Sequence, residues 1–422
     1  MARSENFKPT KELILDAAFS FLERPRFTSF SMNELAEKVG ITKPAIYRHF
    51  KNKEAVLAEM ENRVIGGMLP FLRELVPSHP VTNRLSLVSL IEHLIENPTH
   101  VNYLIAQMSS NPNYEEHMFN LLYESDVAFV QEGGKNVYLK MFNSNMGLFS
   151  RHVYSGMSIF FFVKLIERLK CEGVFENPPA NYAEKIVDLM VNGLVGTTAA
   201  GDFLHPVEIS EERKQELINL CKIEEEVFPK ENRIFTALAA VIEKYKMTGV
   251  TVERIAAELN MAKSSLYEYF DNKNEMVKSL IFKELALLQT ILVENSTEAK
   301  NFTEYAYILM LSEMEYFSHR PSIIPICGWL LMTGVDMPEN QESCEEENER
   351  SPWEKRLPEK VSSPDFGFEY SPEIITGWIK CLPISFLVEA KGKNISKEKR
   401  MEGFMLTIDY ILNGIDKNGG SK

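Results

Sequence analysis

A short basic stretch near the start of the chain has side chains suited to binding a polyanion. Residues 42–53 contain four cationic side chains and no acidic one, so they carry a net charge of +4 in a protein whose net charge is −14. The cations are Lys43, Arg48, Lys51 and Lys53, with His49 among them. Because Lys and Arg neutralise phosphates and hydrogen-bond to base edges, this stretch predicts contacts to nucleic acid.

Patterns typical of catalysis or metal binding do not occur in the sequence. The eight histidines form no HExxH pair, no GxSxG occurs, and Gly133-Gly134 does not begin a phosphate-binding loop. The five cysteines lie far apart, without a CxxC pair or a neighbouring His at metal-ligand spacing. We therefore expect no enzyme activity, metal or cofactor, and we expect the thiols to be free in a reducing compartment.

Charge and hydropathy limit where such a protein could act. With 60 acidic against 46 basic residues, the chain is not a uniformly basic packager of DNA or a polybasic membrane binder. The first ten residues lack the apolar core of a signal peptide, and no run of 18 uncharged apolar residues follows. These features predict a cytoplasmic protein that does not enter a membrane.

Three short helices are predicted around the basic stretch. Apolar residues recur every three or four positions over 11–22, which is typical of an amphipathic helix. Ser31 followed by Glu34 predicts a capping box for a second helix that ends at Gly40. Thr42 is placed to cap a third helix. Two short helices, a turn containing Gly and a third helix bearing the cations are typical of a helix-turn-helix.

The chain repeats itself after about 220 residues. Residues 11–60 align with 231–280 without gaps and share ten identities, and most of the other apolar positions also pair. The ends of the two copies agree at an offset of 221, where 186–194 faces 407–415 with an identical Asn-Gly pair. We infer two copies of one unit rather than several unlike domains.

The repeated segment carries a family resemblance. Residues 41–57 read ITKPAIYRHFKNKEAVL, which resembles the DNA-binding signature of TetR-type transcriptional regulators. The second copy has the same Tyr-x-x-Phe followed by x-Asn-Lys at 267–273. In that family the motif covers only the first fifty residues or so, and a divergent helical ligand-binding and dimerisation domain follows. The resemblance implies an all-α chain of two TetR-like units that form an intrachain pseudo-dimer.

The repeat and the resemblance together predict the domain organisation. The predicted segments are a first helix-turn-helix domain (1–60), a first helical ligand-binding and dimerisation domain (61–203), a linker helix (204–229), a second helix-turn-helix domain (230–280) and a second helical domain (281–422). Within the linker, a charged helix from Glu208 to Phe228 would act as a spacer on the order of 30 Å long. Residues 336–372, rich in Pro and Glu, predict a flexible acidic loop.

The resemblance also implies which residues meet DNA. In the first copy they are Ser31, Thr42, Lys43, Pro44, Ala45, Tyr47, Arg48, His49 and Lys53. In the second copy they are Thr251, Lys263, Ser264, Ser265, Tyr267, Tyr269 and Lys273. Lys43 would reach guanine acceptors, Ala45 would touch a thymine methyl, and Tyr47 would hold a phosphate.

The second copy departs from the family pattern at several positions. Ala262 replaces Thr42, which predicts the loss of a helix cap. Glu268 and Asp271 stand where the first copy has Arg48 and Lys51, so the second basic stretch has no net charge. We expect an asymmetric DNA reader whose first head binds more strongly. The alternative is a helical interaction protein in which one or both heads have degenerated.

Two copies in one chain suggest an internal dimer. Members of the resembled family dimerise through their last two helices, which here would be 154–169 with 181–201 and 374–390 with 396–415. A monomer could then act as a pseudo-dimer on a non-palindromic operator, and a homodimer of the whole chain is the alternative.

The resemblance further implies a repressor that a small molecule releases from its operator. The apolar composition of the helical bodies favours a hydrophobic effector. Candidate lining residues are Tyr103, Met108, Phe142, Phe149 and Tyr154 in the first copy, and Tyr305, Met314, Trp329 and Trp378 in the second. Aromatic and Met residues at helical spacing are also typical of ordinary core, which is the alternative for each.

Overall fold

In the computed structural model of the protein, every regular element in the described part of the chain is a helix. The structure describes residues 9–23, 30–75, 80–111, 113–136, 140–141, 143, 145–173, 176–178, 180–197, 205–228, 233–245, 250–267, 273–324, 326–327, 372–390 and 396–415. The all-α class predicted from the sequence is confirmed.

The described chain forms two compact units. The first unit contains α1 (Thr10–Ser20), α2 (Met32–Val39), α3 (Lys43–Tyr47), α4 (Lys53–Arg73), α5 (Pro80–Glu96), α6 (Pro98–Ser110), α7 (Tyr114–Glu124), α8 (Ala128–Gly133) and the part of α9 (Met146–Cys171) that follows Phe162. We call α1 to α3 and the start of α4 the first head.

The second unit holds the remaining helices. They are the part of α9 up to Phe162, α10 (Tyr182–Thr197), α11 (Glu211–Leu220), α12 (Arg233–Tyr245), α13 (Val252–Glu258), α14 (Lys263–Tyr267), α15 (Lys273–Ser296), α16 (Phe302–His319), α17 (Pro372–Ala390) and α18 (Lys397–Asn413). Short 3₁₀ turns lie at Glu225–Val227 and Pro321–Ile323. We call α12 to α14 and the start of α15 the second head. We call the last two helices of each sequence copy its closing helices, which are α9 and α10 in the first copy and α17 and α18 in the second. The second unit contains all four except the part of α9 that follows Phe162.

The closing helices of the two copies share one apolar core within the second unit. Tyr154 of α9 donates its hydroxyl hydrogen to the Gly403 carbonyl of α18 across 2.6 Å. The Trp378 indole of α17 donates to the Ser158 hydroxyl of α9 across 3.0 Å. Both aromatic side chains are fully buried. The pairing of the two copies inside one chain, which the sequence predicted, is confirmed by these contacts.

The backbones at the ends of α10 and α18 are in close contact at two equivalent glycines. Gly193 and Gly414 have φ angles of +62° and +68°. A Cβ on Gly193 would collide with the backbone of 412–413, and a Cβ on Gly414 would collide with that of 191–192. In the repeat, residues 412–413 are the counterparts of 191–192. Each glycine therefore packs against the counterparts of the two residues that precede it in its own copy. This reciprocity is the isologous contact of a two-fold dimer, here made within one polypeptide.

The linker is shorter than the sequence predicted. The charged helix expected over 208–228 ends at Leu220 and has only 10 residues, so it spans about 15 Å rather than 30 Å. Ser210 caps this helix by accepting a hydrogen bond from the Arg213 amide at 3.3 Å.

The linker helix and the residues that follow it make tertiary contacts. Leu217, Cys221 and Ile223 are buried, which the prediction of a solvated spacer did not anticipate. The Arg213 guanidinium lies 3.0 Å from a carboxylate oxygen of Glu304 in α16. The linker is therefore docked on the second unit and is not a free spacer.

Several of the sequence predictions concern residues that the structure describes only in part or not at all. Of the expected acidic loop at 336–372, only Pro372 is described, and it begins α17. Phe142, Trp329 and Tyr269 also lie outside the described residues. Of Tyr267 and Lys273 only the helical backbone is described.

The described ranges contain neither a membrane-spanning helix nor a cluster of metal ligands. None of the helices there combines the length and apolar character needed to cross a membrane. In the same ranges, no cluster of three or more His, Cys, Asp or Glu side chains could hold a metal ion.

Candidate nucleic-acid interface

The third helix of the first head divides its side chains between core and solvent. Ile46 is fully buried and Phe50, just after the helix, is 3% exposed. The solvent-exposed residues of this helix and its two ends are Thr42, Lys43, Pro44, Tyr47, Arg48 and His49. The half-buried Ala45 lies between them. The structure therefore brings most of the contacts implied for the first copy onto one accessible face, which we call the basic face.

The turn before α3 is built as the sequence predicted. The Ser31 hydroxyl accepts a hydrogen bond from the Glu34 amide at 3.2 Å, and the Ser31 amide donates to the Glu34 carboxylate at 2.7 Å. The hydrogen bonds from Ser31 hold the pKa of Glu34 below its ordinary value. Gly40 ends α2 with a φ of +75°, a conformation that side chains with a Cβ rarely adopt. This turn sets the direction of α3.

The capping role expected of Thr42 is not observed. Thr42 occupies the N-cap position of α3, yet its side chain makes no cap hydrogen bond. Pro44 in the first turn already removes one of the amides that such a cap would satisfy. The expected loss of a cap at Ala262 in the second copy therefore does not follow. The Thr42 hydroxyl is exposed and not engaged in capping, so it is available to a phosphate.

Lys53 is placed differently from the other cations of the stretch. It begins α4, which Asn52 caps by accepting a hydrogen bond from the Ala55 amide at 2.9 Å. Its ammonium lies 5.3 Å from the centre of the Phe30 ring, and burial lowers the pKa of Lys53. Lys53 is thus partly held against the core of the head, at the edge of the basic face.

Ion pairs between α1 and α4 hold the first head to its body helix. The Arg63 guanidinium pairs with Asp16 at 3.1 Å and also with Glu12. Lys11 and Glu59 make a further pair at 2.9 Å. The sequence analysis did not identify Arg63, because its partners lie more than forty residues away and no local spacing indicates them.

The second head follows the same plan. Thr251 caps α13 by accepting a hydrogen bond from the Arg254 amide at 3.3 Å. Asn260 stands where the first head has Gly40 and has a φ of +54°, a conformation that Asn tolerates. On α14, Leu266 is buried while Lys263 and Ser264 are exposed and Ser265 is half-buried. The described backbone therefore presents these side chains as the first head presents its own.

One contact distinguishes the two heads. The Lys263 ammonium pairs with the Glu253 carboxylate of α13, and this hydrogen bond is the largest contribution that lowers the pKa of Glu253 to about 2. The equivalent residue in the first head is Asn33, which has no charge. In the described parts of the chain no carboxylate pairs with Lys43. The sequence shows this difference when positions 33 and 253 are compared, but the predictions for the two heads considered mainly the third helix.

The predicted effector residues do not form one group. Phe149, Tyr154 and Trp378 belong to the shared core of the closing helices, where the polar groups of Tyr154 and Trp378 are already hydrogen-bonded. Tyr305 and Met314 are buried in α16. A ligand role for these five residues stays a prediction.

The other two described candidates lie in α6 of the first unit. Tyr103 is buried and donates its hydroxyl hydrogen to the Leu57 carbonyl at 3.1 Å. Met108 is half-buried. A ligand role for both also stays a prediction.

The sequence analysis also missed a histidine pair in the first unit, in which His100 is buried and His93 is half-buried. His93 of α5 and His100 of α6 have ring centroids 5.5 Å apart. His93 Nε2 and His100 Nδ1 are buried without a hydrogen-bond partner among the described atoms. Burial, together with smaller contributions from the neighbouring His93 and Arg63, lowers the pKa of His100 to about 4. The pair is packed against α4, where a Cβ on Gly67 would collide with the His93 ring.

An exposed basic face on the last helix of a three-helix motif, with a related motif in the second unit, defines a helix-turn-helix DNA-binding protein. The family model for bacterial regulatory proteins of the tetR family matches residues 14–60 and 234–280. The chain is thus a TetR-family protein with two TetR-like units in tandem, and a DNA-binding transcriptional regulator. A search of curated proteins found no match to it.

Proposed function

We propose that the protein is a repressor that binds one operator through two unequal heads on a single chain, in the cytoplasm, and that a hydrophobic effector releases it. The observation that carries this proposal is the basic face of the first head. Its cations are exposed, Lys43 has no acidic partner in the described structure, and the helix beneath is anchored by buried Ile46 and Phe50. Exposed cations gathered on a helix that is held firmly in place favour the binding of a polyanion.

The basic face fits the major groove by its composition. Lys43 is long enough to reach the acceptors of guanine, while Arg48 and His49 carry donors for phosphate oxygens. The exposed hydroxyls of Thr42 and Tyr47 add further phosphate donors. The first head would therefore supply both base reading and charge neutralisation.

The pairing of closing helices within one chain supports a single-chain regulator. In the TetR family two separate chains supply the two heads, whereas here α10 and α18 of one polypeptide make the isologous contact. Because the two heads have different sequences, the two half-sites of the operator need not be related by symmetry. Effector release and repression rest on the family resemblance and on the apolar helical bodies.

A mobility-shift titration with duplex DNA from the region upstream of the protein's own gene tests DNA binding. Lys43→Ala should weaken binding about tenfold, the discrimination expected of one good base contact. Lys222→Ala is the matched control, since it removes an exposed cation of the linker that lies outside both heads; it should change binding less than twofold. The absence of a shift by the unaltered protein at low salt, or equal weakening by both variants, would contradict the proposal.

A further inference from the structure

We propose that Glu253 determines the specificity of the second head by holding Lys263 away from base edges. The second half-site would then be bound through its phosphates and left unread at the base pair that Lys43 reads in the first. This inference rests on the proposed function, because it assumes that both heads meet DNA.

The two heads place equivalent lysines at the start of the third helix, but the side chain beside that lysine differs between them. Lys43 and Lys263 are each the first residue of their third helix, and both are exposed. Ten residues earlier in the chain, and second in the preceding helix, stand Asn33 and Glu253. Only in the second head does this position carry a carboxylate, and there it pairs with the lysine.

Glu253 engages a second residue that the family resemblance assigns to DNA. A hydrogen bond from the Thr251 side chain also lowers the pKa of the Glu253 carboxyl. With a pKa of about 2, the group is ionised throughout the physiological range. One acidic side chain thus occupies donors of both Thr251 and Lys263, which would otherwise be directed at DNA.

Either state of the ion pair disfavours base reading by Lys263. If the pair persists on DNA, the ammonium is held by the carboxylate and the pair contributes no net charge. If DNA displaces the pair, which is exposed and therefore weak, the freed carboxylate lies beside the phosphates and is repelled by them. In the first head Asn33 is uncharged, so it neither forms an ion pair with Lys43 nor is repelled by the phosphates.

The hydroxyls that remain on the second head suit phosphate contacts. Ser264 is exposed and Ser265 is half-buried, and short hydroxyl side chains donate readily to phosphate oxygens. They stand where the first head has Pro44 and Ala45. The second head would thus add affinity that depends little on sequence.

Selection of binding sites from a random duplex library, with the full-length protein, tests this inference. The unaltered protein should enrich a site with one half specified at the guanine read by Lys43 and the other half degenerate at the symmetric position. Glu253→Asn, which copies Asn33 of the first head, should create a guanine preference there. It should also raise affinity for a site carrying that guanine about tenfold.

The control is Glu258→Gln, which removes an exposed acid from the same helix without touching Lys263. It should leave the selected site unchanged. Three results would overturn the inference without affecting the proposal that the protein binds DNA. They are two equally specified half-sites with the unaltered protein, no new base preference with Glu253→Asn, and the same change in preference with Glu258→Gln. No enrichment with any of the three proteins would overturn the proposed function itself.

Discussion

At the scale of single residues, the first head separates structural from DNA-facing roles over very short distances. Ile46 has no exposed surface, whereas its neighbour Tyr47 is 44% exposed. An aromatic side chain held in solvent on a basic face gains little from burial. Its hydroxyl is therefore expected to serve binding rather than stability.

Tyr47→Phe tests this division of roles. Removal of the hydroxyl should weaken DNA binding about fivefold, which corresponds to one hydrogen bond of about 1 kcal/mol. The melting temperature should stay within about 2 °C, because the altered atom is exposed. A binding titration and a thermal melt measure the two effects. The opposite pattern, with unchanged binding and a lower melting temperature, would mean that Tyr47 is a structural tyrosine.

Residue roles were predictable from the sequence where they depend on local spacing. The Ser31–Glu34 capping box and the left-handed Gly40 follow from their positions relative to the helices they flank. The missing cap at Thr42 and the pairing of Glu253 with Lys263 were not predicted. Both depend on how a side chain turns in three dimensions, and spacing alone does not determine this.

At the scale of elements, the helices that support the first head converge on the histidine pair. Phe19 of α1 lies 5.4 Å from the His100 ring by ring centroids, and Phe71 of α4 lies 5.5 Å from the His93 ring. The nearby charged groups are Arg63 of α4, which opposes protonation of His100, and Glu96 of α5, which favours protonation of His93.

This arrangement predicts that acid destabilises the protein through His100. Its pKa is about 4 in the folded chain against an ordinary value of 6.5, so the unfolded chain binds the proton more readily. The contribution of His100 to the free energy of unfolding is intact above about pH 6.5 and falls as the pH drops from there towards 4.

Thermal melts of the unaltered protein and of His100→Leu at pH 7.5 and pH 5 measure the effect. The unaltered protein should lose about 2 kcal/mol more stability than the variant between these two conditions. An equal loss in both proteins would show that other groups cause the acid sensitivity. The unaltered protein must be compared with the variant because carboxyl groups with a lowered pKa, such as Glu253, also contribute less to the stability of the protein in acid.

The bounds of a helix were predictable where its amphipathic pattern is continuous. They were less predictable where the sequence is charged throughout and tertiary contacts are made. Helices α1, α2, α10 and α18 lie close to their predicted bounds. The linker was predicted too long because its charged sequence allows a helix throughout. The helix ends at Leu220, and the burial of Leu217 and Cys221 and the contact from Arg213 to Glu304 are tertiary features that local sequence does not indicate.

At the scale of the whole molecule, duplication places the closing helices of both copies in one polypeptide. The repeat at 220 residues and the matching Asn-Gly pairs predicted this, because equivalent sequences make equivalent contacts. The unequal charges of the heads were also visible in the sequence. The glycine-to-backbone contacts that make the pairing isologous required the structure.

The central claim is that one chain supplies both heads to one operator. The most direct test is the mass of the complex with a selected operator duplex, measured by light scattering at low micromolar protein. A single chain of 48.4 kDa per duplex is the predicted composition, and the free protein should have the mass of one chain. Two chains on each duplex, or an obligate dimer without DNA, would contradict the account.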